Sequence, residues 1–172
     1  MILIAQIFIP YITMRAHSAL LTLTILLADD DADDCLLFKD ALGELPLLTQ
    51  LSTVANGEQL MEVLNQTELL PDLLFLDLNM PRKNGFDCLL EIKQSERLRR
   101  LPVIILSTSV EENMVNQLYA NDAEYYICKP NEFSQLVSVI RIALTLTSQI
   151  DHARPSRKEF LLLPESVTNE SN

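Results

Sequence analysis

The stretch LLFLDLNMPRKNGFDCL, Leu73 to Leu89, decides the fold. An apolar run ends on a single carboxylate, Asp77. Turn formers follow at once: Asn79, Pro81, Asn84 and Gly85. Helical spacing then begins in FDCLLEIKQSERL, Phe86 to Leu98. An apolar run without alternation is the pattern of a strand covered on both faces. A buried strand therefore ends on an acid and turns into a helix.

Outward from this stretch, strand and helix patterns alternate. LTILLA (Leu23–Ala28) and VIILST, which follows Pro102, are further apolar strands. TQLSTV (Thr49–Val54) alternates weakly, and EYYIC (Glu124–Cys128) is halted by Pro130. DDCLLFKDALGEL carries Leu36, Leu37, Ala41 and Leu45 near helical spacing, with acids in its first turn where the helix dipole favours them. GEQLMEVLNQ, EENMVNQLYAND and EFSQLVSVIRIALTLTSQI are the other helices. This alternation predicts an α/β fold: a doubly wound, five-stranded parallel sheet with helices on both faces. Right-handed crossovers put every strand's C-terminal end on one edge, where ligands of such folds sit.

The expected organisation is an N-terminal extension over 1–22, one folded domain over 23–148 and a C-terminal tail over 149–172. The tail is polar from Asp151, with EFLLL at 159–163 as its one apolar patch. MILIAQIFIPYIT is apolar but short, and Arg15 and His17 interrupt it before the next apolar run. No positive charge precedes it, as a secretory signal requires. The extension is read either as a packed segment or as a start extended upstream of Met14; a membrane anchor is not expected. The formal charge of −11 argues against nucleic acid as a partner, because phosphate binding needs a basic surface. Cys35, Cys88 and Cys128 form no CxxC pair and fit a reducing cytoplasm.

Chemistry collects at the strand ends. The first strand runs into Asp29, Asp30 and Asp31, the third ends on Asp77, the fourth on Ser107 and Thr108, and the fifth on Lys129. Crowded carboxylates repel unless a cation neutralises them. Hard oxygen ligands favour Mg2+, which bridges to phosphate. Lysine supplies a point charge for a phosphoryl oxygen, and serine a hydroxyl. An aspartate attacking phosphorus gives an acyl phosphate. The set fits phosphoryl transfer onto Asp77.

With ILLADDD, FLDLNMPRKNG, VIILSTS and YYICKP in order, the chain resembles the receiver domain of two-component response regulators, with the flavodoxin-like fold of the chemotaxis receiver. The resemblance covers about residues 24–148. It implies Asp77 as phosphoacceptor, with Asp30 and Asp77 binding Mg2+ directly, Asp29 assisting and the Asn79 carbonyl completing the set. It implies that Lys129 and Ser107 contact the phosphoryl group, and that Tyr126 moves from an outward to an inward rotamer; Tyr125 stays an alternative. It also implies a cis Lys129–Pro130 bond. The phosphodonor would be a histidine kinase or phosphotransfer protein in a phosphorelay. The tail is too short to fold alone, so output is expected through protein contacts on the fourth helix, fifth strand and fifth helix, about Glu111 to Thr147. A homodimer stays open. Thr108 stands where the family usually has a smaller residue, which suggests slow phosphate loss.

Rival readings are weaker on the residues. A calcium loop on Asp29, Asp31, Asp33 and Asp40 lacks glycine at its sixth position, Asp34. An aspartate-nucleophile phosphohydrolase needs a second acid where Asn79 stands, so no enzyme is expected. A binding module without phosphorylation would not need the complete set. Asp33 and Asp34 read as a capping turn, and Asp40, Asp72 and Asp87 as solvated faces.

Overall fold

The structure, a computed structural model, describes residues 22–148 and 154–163. The readings of the N-terminal extension, with Met14 as an alternative start, fall on residues outside that description, Thr22 apart.

Six parallel strands form one sheet in the order β2-β1-β3-β4-β5-β6. They are β1 (Leu23–Ala28), β2 (Thr49–Val54), β3 (Leu73–Asp77), β4 (Val103–Ser107), β5 (Tyr125–Cys128) and β6 (Leu161–Leu162). The helices are α1 (Ala32–Gly43), α2 (Gly57–Gln66), α3 (Gly85–Gln94), α4 (Glu112–Ala120) and α5 (Phe133–Thr147). The chain runs outward from β1 to β2, then returns to place β3 on the other side of β1. The gap between the C-terminal ends of β1 and β3 is thus the switch point where ligands enter open α/β sheets.

Why the central strands lack alternation is visible in the core. Leu26, Ala28, Leu74, Leu76, Val103, Ile105 and Tyr126 pack with α2, α3 and α4. Ile25, Leu27, Leu73, Phe75, Ile104, Leu106, Tyr125 and Ile127 pack with α1 and α5. Successive side chains point to opposite faces, and both faces are covered. β2 is an edge strand with an alternating, half-buried pattern, in keeping with its weaker apolar signal.

Three local features depart from the sequence reading. The buried stripe of α1 is Phe38, Ala41 and Leu42, continued by Leu45 just past its end, while Leu36 and Leu37 are 56% and 46% exposed. The observed stripe has the i, i+3, i+4, i+7 spacing of a true helix face. The Lys129–Pro130 bond is trans, since no described peptide bond is cis; trans remains the lower-energy isomer even before proline. Finally, β6 lies in the segment read as a tail. Leu161 and Leu162 align with Tyr126 and Ile127 of β5, adding a sixth strand to the expected five. Two leucines are too short a run to announce a strand. Among the described residues, no helix is long and apolar enough to cross a membrane.

Candidate functional site

Three carboxylates meet at the switch point. Asp29 follows β1, Asp30 lies beside it, and Asp77 ends β3; one oxygen from each lies within 4.8 Å of the others. Asp29 and Asp77 are 3% and 5% exposed, whereas Asp30 is exposed. Lys129, after β5, reaches across the sheet edge. Its Nζ is 2.7 Å from Asp29, 2.8 Å from Asp34 and 3.2 Å from Asp77. Ser107, fully buried, ends β4 beside β3. Asp29, Asp30, Asp77 and Lys129 of the expected constellation therefore converge, and Ser107 ends the neighbouring strand.

Charge and burial oppose each other here. Burial pushes the Asp29 carboxyl above its ordinary value, only partly offset by the Lys129 hydrogen bond and the Asp31 amide. For Lys129, burial disfavours the ammonium, but hydrogen bonds to Asp29 and Asp34 and the charge of Asp77 outweigh it, so its pKa rises. A buried lysine shared by three carboxylates leaves the cluster with surplus negative charge. Hard oxygen donors with surplus charge suit a divalent cation, so the residues present fit the metal that the fold implies.

The loop carrying Asp77 is pinned from both sides. The Asn79 amide donates to Asp77 Oδ2 at 2.7 Å, while the Asn79 side chain is exposed. Gly85 donates to the Leu78 carbonyl at 3.0 Å. A Cβ on Gly85 would stand 2.1 Å from the Asp77 carbonyl oxygen, and one on Gly57 would stand 2.2 Å from that of Lys83. Two of the chain's three glycines thus let α2 and α3 close on this loop. Arg82, inside it, adopts φ 67°, a left-handed backbone that non-glycine residues hold at a cost of about 1–2 kcal/mol.

The structure also decides between the two tyrosines. Tyr125 packs towards α1 and α5, while Tyr126 lies on the Ser107 side of the sheet. The Tyr126 hydroxyl donates to the Ser109 carbonyl, and the Ser109 amide donates to Ser107 Oγ at 3.4 Å. Tyr126 is 1% exposed. Phe160 of the tail packs over it, with ring centroids 6.4 Å apart.

Two residues of this region escaped the sequence reading. The sequence pairs Asp34 with Asp33 in a capping turn, but the capping side chain is Asp31, which accepts from the Asp33 and Asp34 amides. Asp34 instead pairs with Lys129. Its signal was its place in the first turn of α1, directly after the acids that follow β1. Phe160 had no signal beyond its apolar neighbours.

Residues 25–141 match the family model of the response regulator receiver domain. The chain belongs to that family. Among curated relatives, response regulator Rcp1 of Synechocystis sp. is 32% identical over 122 residues, 68% of this chain and 83% of Rcp1. The probable methanogenesis regulatory protein FilR2 of Methanothrix harundinacea is 32% identical over 116 residues, 65% of this chain and 75% of FilR2. Among solved structures, the phosphorylated cyanobacterial phytochrome response regulator RcpA superposes with a TM-score of 0.69 at 32% identity, over 79% of this chain and all of RcpA. The Mn2+-bound form of Rcp1 gives 0.67 at 29% identity, over 77% of this chain and 99% of that one. The protein is a receiver-domain response regulator of two-component signalling, with the flavodoxin-like receiver fold.

Proposed function

We propose that the chain accepts a phosphoryl group on Asp77, with Mg2+ bound by Asp29, Asp30, Asp77 and the Asn79 carbonyl. The observation that carries this reading is the meeting of Asp77 with two other carboxylates and the Lys129 ammonium at the switch point. An Asp77 oxygen attacks phosphorus, and the bond to the donor breaks. The electron pair leaves with the imidazole of a histidine kinase or phosphotransfer protein, or with acetate from acetyl phosphate. Mg2+ would offset charge on the phosphoryl oxygens when bound. Lys129 shifts its hydrogen bonds from carboxylate to phosphoryl oxygen, and Ser107 donates to another.

The group then biases two states of the chain by its differential contacts, and the output is a protein–protein contact. The expected surface is α4, β5 and α5, about Glu111 to Thr147, in a cytoplasmic protein whose receiver domain spans 23–148. Thr108 is exposed at the rim of the site, and its bulk would slow water's approach to the acyl phosphate.

Intact mass of the full chain, with acetyl phosphate and Mg2+, tests the reading. One added phosphate is expected, lost in Asp77→Asn and with chelator. Continuous acetyl phosphate turnover without an adduct would favour a phosphohydrolase. No adduct and no turnover would favour a constitutive binding module. Thr108→Ala is expected to shorten the lifetime of the adduct; a wild-type lifetime of seconds would refute the shielding role.

A further inference from the structure

The expected output surface already has an occupant. Residues 154–163 lie along α4 and the outer edge of β5, and each part of the segment is tied to that surface. Arg154 stands over the Tyr119 ring at 4.1 Å, donates to the Tyr119 carbonyl and pairs with Asp122 at 3.1 Å. The Tyr119 hydroxyl donates to the Pro155 carbonyl at 3.1 Å. Arg157 Nε donates to Asn116 at 2.7 Å. Phe160 is wholly buried, 5.2 Å from the Tyr119 ring, and its carbonyl accepts from the Tyr126 amide at 2.8 Å.

Tyr126 is where this segment and the site meet. Its amide donates to the Phe160 carbonyl, its ring lies beneath the Phe160 ring, and its hydroxyl donates to the carbonyl of Ser109, whose amide donates to Ser107 Oγ at 3.4 Å. A phosphoryl group on Asp77 would turn the Ser107 hydroxyl towards itself and release the Ser109 amide, so that the Ser109 carbonyl held by Tyr126 is no longer fixed. Tyr126 must then re-seat under a residue packed against it. A close-packed contact of this kind has few intermediate positions.

We infer that the β5 edge and the Tyr119–Tyr126 groove are an interaction surface for an extended segment with an aromatic anchor. The chain's own residues 154–163 fill it, and phosphorylation of Asp77 loosens them through Tyr126. The chain's own segment is the occupant, and its chemistry matches the surface: backbone pairing along β5, the Phe160 ring beside Tyr119, and the Arg154 cation on Tyr119 and Asp122. This inference rests on Asp77 being the phosphoacceptor.

Trypsin provides the test on the full chain. Arg157 and Lys158 are cleavage sites within the segment, while Arg154 is protected by Pro155. Cleavage needs the segment to detach, so its rate follows the detached population. With Mg2+ and acetyl phosphate, cleavage at Arg157 and Lys158 is expected to speed up at least fivefold, and not in Asp77→Asn. Phe160→Ala is expected to be cleaved fast without phosphate. A labelled peptide of sequence RPSRKEFLLL should bind Phe160→Ala at least tenfold more tightly than the wild type, both unphosphorylated, because the resident segment no longer competes. A chain that gains the phosphate mass while cleavage stays unchanged or slows overturns the inference and leaves the phosphoacceptor reading intact. A peptide that binds both chains alike, or neither, overturns it as well. A chain that gains no phosphate overturns the phosphoacceptor reading, and this inference with it.

Discussion

Two edges of the same sheet behave differently. At the β1–β3 switch point, strands buried on both faces deliver charged side chains to fixed places, and packing from α2 and α3 holds the loop between them. At the β5–β6 edge, a short segment adds a two-residue strand and one buried ring to a finished domain. The first edge cannot open without breaking the core. The second can open alone, because its contacts lie between the segment and the rest. Rigidity suits the place where chemistry needs fixed geometry, and separability suits the place where a signal is read.

Phe75 and Phe160 give the largest expected contrast. Both rings are fully buried. Phe75→Ala in central β3 should cost about 3–5 kcal/mol of global stability by denaturant unfolding. Phe160→Ala should lower the global midpoint less, since the segment can detach without the domain unfolding. Equal losses in the two variants would mean that the β6 edge is part of the cooperative core, and the contrast would fail.

The glycines sharpen the same point at smaller scale. Gly85→Ala drives a methyl into the Asp77 carbonyl and should cost about 1–3 kcal/mol, with slower phosphorylation. Gly43→Ala meets nothing within 4 Å and should be neutral or stabilising by about 0.5 kcal/mol. Thermal melts of the two variants read the difference directly.

Asp29→Asn separates function from stability at the site. A buried carboxylate costs folding free energy that an amide does not. Without Mg2+ the variant should melt a few degrees higher than the wild type. The rise in melting temperature that Mg2+ gives the wild type should shrink or vanish. A variant that melts lower without Mg2+ would show that the Lys129 pair outweighs the burial cost. The smallest effect belongs to Leu36→Ser and Leu37→Ser, expected within about 0.5 kcal/mol because both side chains are largely exposed.

Much of the switch point was legible beforehand because strand ends are local facts. An apolar run that stops at Asp77, or at Ser107, says both that the strand is buried and which residue it presents. Parallel topology then brings the ends together. Asp34 was not legible, because its partner Lys129 is 95 residues away and the acids around it offered a simpler capping role. The stripe of α1 was misread because adjacent leucines look apolar in any phase, whereas the Asp31 cap fixes the phase that buries Phe38.

Short runs and their spacing are enough to set the strand and helix order, the acids, hydroxyl and lysine at one edge, and the resemblance to the family. Tertiary structure alone decided that Tyr126 rather than Tyr125 faces Ser107, that Asp34 shares Lys129, and that Phe160 closes over β5. Those outcomes depend on which face a side chain takes and on what arrives from far along the chain, and neither is written in local pattern.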